Sequence, residues 1–118
     1  MPATTLEPKR GDVWTLNLDP SVGHEQSGTR PAVIISDDIF NHGPAGLVIV
    51  LPVTSRSKRI RTHVEVLPPE GGLTLTSYIK CEDVRSVSKN RLIERLGTVS
   101  SAILRETEDR LRILMSLQ

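Results

Sequence analysis

Apolar and polar positions alternate along most of this chain with the two-residue period of a β-strand. Only the last segment carries a helical period. Residues 12 to 18 set Val13, Thr15 and Asn17 on one face and Trp14, Leu16 and Leu18 on the other, a strand that Asp19-Pro20 stops. Val33, Ile34 and Ile35 form a short β-branched run, which predicts a buried strand from Arg30 to Ser36. Pro31 has no N–H for a ladder, so its expected place is the strand's first position, where it also holds Arg30 extended. Between these strands, residues 20 to 29 are polar, hold Gly23 and Gly28, and show no period. They predict a mobile loop leading directly into Arg30.

Asp37 to Asn41 predicts a helical turn, and His42 to Gly46 a turn cluster. Leu47 to Val53 is a third strand, which Pro52 is expected to end early or to place partly at an edge. A fourth strand alternates Val64 and Val66 with His63, Glu65 and Leu67, and Pro68-Pro69-Glu70-Gly71-Gly72 breaks it. Residues 73 to 87 predict one or two strands, 88 to 92 a helical turn, and 93 to 97 a last short strand.

The C-terminal segment is the clear helix. Ser100 suits its N-cap, and Val99 with Leu104 suits a hydrophobic staple. Ile103, Leu104, Thr107, Leu111, Leu114 and Met115 share one face, while Glu106–Arg110 and Glu108–Arg112 are i,i+4 pairs of the favourable order. Ile113 and Leu117 fall outside that stripe. The wider arc fits either a helix end set against a second chain or a last turn folded over the core. The pattern as a whole predicts a mainly β α+β domain over residues 10–118, preceded by a polar lead-in at 1–9.

Composition sharpens this picture in three ways. Of 118 residues only 3% are aromatic, namely Trp14, Phe40 and Tyr78, so the core is aliphatic and a base-stacking aromatic platform is excluded. One cysteine, Cys81, excludes an internal disulfide and a thiolate zinc site, and predicts a small core residue rather than a nucleophile. There is no cationic-then-apolar leader and no apolar run of membrane-spanning length, so the expected compartment is a reducing cytoplasm, with no membrane partner.

The net charge of +1 implies no nucleic-acid partner by itself, and its distribution matters more. Arg56, Lys58, Arg59 and Arg61 put four cations into six residues, an electrostatic footprint for a phosphate backbone or a solvated hairpin. Arg30, locked by Pro31, is either a solubilising strand-edge charge or a fixed phosphate ligand. Lys80 and Glu82, two apart, are expected on one strand face as an adjacent cation and carboxylate. His24, His42 and His63 have no metal-ligand spacing, and no phosphate-loop, dinucleotide or zinc-protease motif is present.

Taken together, Gly11-Asp12-Val13-Trp14, Leu18-Asp19-Pro20, the run from Gly23 through Arg30-Pro31-Ala32-Val33-Ile34-Ile35-Ser36, Val50-Leu51-Pro52-Val53-Thr54-Ser55 and Val84-Arg85-Ser86-Val87 closely resemble the MazF/PemK family. These are ribosome-independent endoribonuclease toxins of bacterial type II toxin–antitoxin modules. The resemblance runs from about Lys9 to the C-terminus. It implies an SH3-like, strongly curved antiparallel sheet or small barrel with a C-terminal helix, and a homodimer that binds single-stranded RNA across its interface. It also implies a cognate antitoxin whose acidic tail competes for the RNA groove. The implied reaction is attack by the ribose 2′-hydroxyl, which leaves a 2′,3′-cyclic phosphate and a 5′-hydroxyl and needs no metal and no cofactor.

By the same resemblance, Arg30 and Thr54 carry catalysis, with His24 and Glu82 as further catalytic candidates. Glu25, Gln26, Ser55, Arg56, Lys58, Arg59, Lys80, Asp83 and Arg85 are the implied RNA-binding residues. The chain departs from common members at His24, where Ser is usual, and at Asp83, where an amide-bearing Gln usually helps to hold RNA. Lys80 and Glu82 match an Arg-x-Asp pair of one branch, with Lys lacking the two-pronged guanidinium. The alternative is a CcdB-like toxin of the same fold that binds DNA gyrase and cuts no RNA.

Overall fold

A computed structural model describes residues 7–18 and 28–118. The predicted loop at 20–29 therefore falls outside the described residues up to position 27, together with His24, Glu25 and Gln26.

Seven strands appear where β-branched and alternating runs stand in the sequence. They are β1 (Asp12–Asn17), β2 (Thr29–Ile34), β3 (Leu47–Thr54), β4 (His63–Val66), β5 (Ser77–Lys80), β6 (Arg85–Ser88) and β7 (Leu92–Thr98). All pairings are antiparallel, in the order β4-β5-β3-β2-β1-β7, with β6 also on β3. Helix α1 (Asp38–Asn41) is a single turn capped by Asp37, and α2 (Ser101–Met115) is the C-terminal helix.

The alternation in β1 divides the core between the two faces of the sheet. Val13 packs with Val33, Leu51, Val53, Val64, Val66 and Ile79 on one face. Trp14, Leu16 and Leu18 pack with Ala32, Ile34, Val48, Val50 and Val87 on the other. Each such Val, Leu or Ile side chain, taken from water, contributes about 1.5–3 kcal/mol. Helix α2 closes the first face with Ile103, Leu104 and Leu111, after Ser100 accepts from the Ile103 N–H as the predicted cap. Cys81 lies within this core, and burial pushes its thiol up to about 12.

The prolines depart from their predicted places, each for a physical reason. Pro31 is the third residue of β2, opposite Thr15, and the β2–β3 ladder begins only at Ala32↔Pro52. Pro52 neither ends β3 nor marks a free edge. It falls between Val50, the last residue paired with β6, and Val53, the first paired with β5. A residue without an N–H fits the changeover between two partner strands. Residues 73 to 76 are not strand, and β5 starts at Ser77. Ile113 is 75% and Leu117 60% exposed, so the last turn of α2 is not folded over the core.

Candidate active site

The site begins with strand register. Ala32 stands opposite Pro52 and Val33 opposite Leu51. The ladder ends there, and two residues beyond it, on the same faces as Ala32 and Pro52, stand Arg30 and Thr54, both lining one groove. Thr54 in turn pairs with Tyr78, and Lys80, two residues along the same face of β5, pairs with His63. Val53, Ile79 and Val64 point into the core between them. Alternation thus places Arg30, Thr54, Lys80 and His63 on the opposite face, beyond the end of the second apolar cluster.

These four side chains line one open groove of ≈ 760 Å³, together with Ser55, Arg56 and Lys58. Among the described residues no carboxylate lines it, and Arg30, Arg56, Lys58 and Lys80 give that wall a single sign of charge. Arg30 is exposed and makes no ion pair with a described residue, which leaves its guanidinium fork open to an anion. The Thr54 Oγ1 accepts from the Arg56 N–H at 3.1 Å. That bond fixes the hydroxyl oxygen and leaves its hydrogen to be donated. Leu18 N–H donates to the Gly28 carbonyl at 2.9 Å, so the chain leaves and re-enters the sheet beside Arg30.

The other predicted residues lie outside the groove wall. Lys80 and Glu82 do not share a strand face, because Cys81–Asp83 forms a 3-10 turn directly after β5. Glu82 turns instead to β4. It accepts from the Thr62 hydroxyl at 2.7 Å and bonds His63 Nε2 at 2.9 Å. Burial acts to raise the Glu82 pKa, but the bonds from Thr62, its own backbone N–H and His63 outweigh it, so the carboxyl sits below its ordinary range. Both carboxylate oxygens of Asp83 accept from the one nitrogen Arg85 Nη2, each at 2.9 Å, and Asp83 lies 3.6 Å from Lys80 Nζ. Arg59 stands at φ +52°, a left-handed turn residue of the basic loop, which Arg110 ties to α2 through the Arg61 carbonyl at 2.8 Å. Among the described residues no group of His, Cys, Asp or Glu side chains is placed to hold a metal ion.

His63 is the groove residue that the sequence pattern passes over. It alternates with Val64 and Val66 like any solvent-facing strand position, yet its side chain is only 4% exposed. The available signal was Glu82 in the turn after the next strand, visible only once β4 is paired with β5.

A family model described as PemK-like, MazF-like toxin of type II toxin–antitoxin system matches residues 9–115. Endoribonuclease PemK of Escherichia coli is 36% identical over 110 residues, covering 92% of this chain and 82% of that protein. Endoribonuclease EndoA of Bacillus subtilis (strain 168) is 32% identical over 110 residues, covering 92% and 95%. The crystal structure of MazF (Form-I) from Deinococcus radiodurans superposes with a TM-score of 0.85 at 31% identity, over 96% of this chain and 100% of that one. These relatives give the gyrase-binding alternative no support.

Proposed function

This chain belongs to the PemK-like, MazF-like toxin family of type II toxin–antitoxin systems, and we propose that it cuts RNA in the groove that Arg30 and Thr54 both line. It is an endoribonuclease toxin, as its named relatives are endoribonucleases. The observation that carries the site is that Arg30 and Thr54 line one groove whose charged residues, among those described, are all cationic. The nucleophile in this chemistry is the substrate's own 2′-hydroxyl, so the protein needs no activated serine or cysteine. It must hold the scissile phosphate and stabilise the extra negative charge of the phosphorane. Arg30 supplies paired donors to the phosphate, and the Thr54 hydroxyl supplies a second donor from the neighbouring strand.

Incubating the purified protein with a long single-stranded RNA in excess EDTA tests this reading. The expected products are discrete fragments with 5′-hydroxyl and 2′,3′-cyclic phosphate ends. Intact RNA, or cleavage that EDTA abolishes, would count against it.

The basic loop tracks the RNA backbone beside the cleavage centre. Arg56 and Lys58 line the groove and have no carboxylate partner among the described residues. For Lys58→Ala, the plot of log affinity against log salt is expected to flatten by about 0.7, one phosphate contact on a single strand. An unchanged slope would return the loop to a solvated hairpin.

The partner is a cognate antitoxin, the second component that the family description names. Its acidic segment occupies the same cationic groove and competes with RNA. The protein pairs with a second copy of itself, a reading supported by Ile113, Leu114, Met115 and Leu117, all exposed at the end of α2. No described helix is long and apolar enough to cross a membrane, and we place the toxin in the cytoplasm with its RNA.

A further inference from the structure

The basic loop between β3 and β4 has to keep its shape with little help from the core. Ser55 to Arg61 are exposed throughout. A segment that buries little apolar surface is loose unless bonds at its ends fix it. The start is tied by the Arg56 N–H, which donates to Thr54 Oγ1 at 3.1 Å. The end is a turn in which the His63 N–H donates to the Ile60 carbonyl at 3.0 Å. Arg59, just before that turn, stands at φ +52°, a left-handed conformation that an arginine keeps where its surroundings impose it.

Glu82 grips this turn from outside the loop. It lies in the Cys81–Asp83 turn after β5. Its Oε1 accepts from the Thr62 hydroxyl at 2.7 Å and its Oε2 from His63 Nε2 at 2.9 Å, since an ionised carboxylate can only accept. One side chain therefore holds the two successive residues where the loop becomes β4, and each of its oxygens takes one of them. The backbone beside it adds to the hold, because the Cys81 N–H donates to the Thr62 carbonyl at 3.4 Å. On the other side Arg110 of α2 donates from Nε to the Arg61 carbonyl at 2.8 Å.

We propose that Glu82 is a positioning residue for RNA binding: by gripping Thr62 and His63 it sets the basic loop so that Arg56 and Lys58 present their charges along the groove. This rests on the reading of that loop as the part of the site that tracks the RNA backbone. Cations held in place before the RNA arrives need not be ordered by it, which removes a cost from binding. The sign of the effect separates this role from plain electrostatics. A carboxylate close to a cationic groove repels phosphate, so on charge alone its removal would tighten RNA binding. Loss of a positioning residue does the opposite.

The probe is a 2′-O-methylated single-stranded RNA, which can bind but lacks the nucleophile. For Glu82→Ala its affinity is expected to fall about three- to tenfold. Thr62→Val removes one of the two bonds without a change of charge, and is expected to weaken the same RNA by a smaller factor. Lys58→Ala is expected to cost less affinity in the Glu82→Ala background than in the wild type, because the lysine is no longer held in place there. Unchanged or tighter binding by both Glu82→Ala and Thr62→Val would overturn the proposal, as would strict additivity with Lys58→Ala. So would a fall in the saturating single-turnover rate on cleavable RNA with affinity intact, which would put Glu82 in the chemistry instead. Lys58→Ala in the otherwise wild-type chain separates the two ideas. If it leaves affinity intact, the reading of the loop fails. If it weakens binding while Glu82→Ala and Thr62→Val do not, only the positioning role fails.

Discussion

Arg30→Ala is expected to slow RNA cleavage by about 100- to 1,000-fold while leaving the fold as stable as the wild type. The rate loss follows from removing a fixed donor to the charge that develops on the phosphorane. The unchanged stability follows from the position of the side chain. It is exposed, has no partner among the described residues, and sits where the second apolar cluster has already ended. A surface change of that kind alters stability by no more than about 0.5 kcal/mol. Arg30→Lys is expected to recover only part of the rate, because an ammonium keeps the charge and loses the planar fork. Thr54→Ala belongs to the same experiment. Its hydroxyl accepts from Arg56 N–H, so the variant loses both a donor to substrate and the tie that orders the start of the basic loop. Thr54→Ser, which keeps the hydroxyl, is the matching control. Timed cleavage of one defined RNA, with urea unfolding of each variant, checks all four. If Arg30 were only a strand-edge charge, Arg30→Ala would cleave at the wild-type rate.

How far this site could be read from sequence depends on which part of it is local. The strands themselves were legible, since Val33-Ile34-Ile35 and the alternation at 12 to 18 are local signals. The meeting of Arg30 with Thr54 was not, because it depends on Val33 pairing with Leu51, a register between two apolar runs. Family resemblance supplied the pairing of roles; the ladder supplies the physical reason. Pro52 misleads for a related cause. A proline argues against a central strand only when one continuous partner lies along its N–H side, and β3 instead changes partner there. Lys80 and Glu82 were misplaced because alternation was extended past Lys80. The chain tightens at Cys81, whose burial in the core draws the next residues into a 3-10 turn and sends Glu82 back to His63. Asp12 shows the converse. It stands in the resembling Gly-Asp-Val-Trp block, and its role is architectural. Its buried carboxylate accepts from Lys9 N–H at 2.9 Å and Trp14 Nε1 at 3.2 Å, and it pairs with Arg95 at 3.2 Å.

Gly72→Ala is expected to cost about 2–5 kcal/mol of stability, although the sequence presents this glycine only as part of a break. Two separate effects combine. Gly72 stands at φ +72°, a left-handed conformation that costs an ordinary residue about 1–2 kcal/mol. A Cβ there would also lie 2.0 Å from the Leu96 carbonyl oxygen and 2.6 Å from its carbon. Those atoms are backbone of β7 and cannot rotate away, so the strand or the turn must shift, an overpacking cost of about 1–3 kcal/mol. The contact is reciprocal, since a Cβ on Gly97 would stand 2.7 Å from the Gly71 carbonyl carbon. The Glu70–Gly72 turn and β7 therefore approach as bare backbones, and the groove wall that includes Gly72 and Leu96 depends on that approach. Gly46→Ala isolates the first effect, because Gly46 has φ +71° with nothing within 4 Å of the added carbon. Urea unfolding of the two variants should then differ by the steric cost alone. Equal losses would mean that the close approach to β7 contributes nothing, and that Gly72 is required only for its backbone angle.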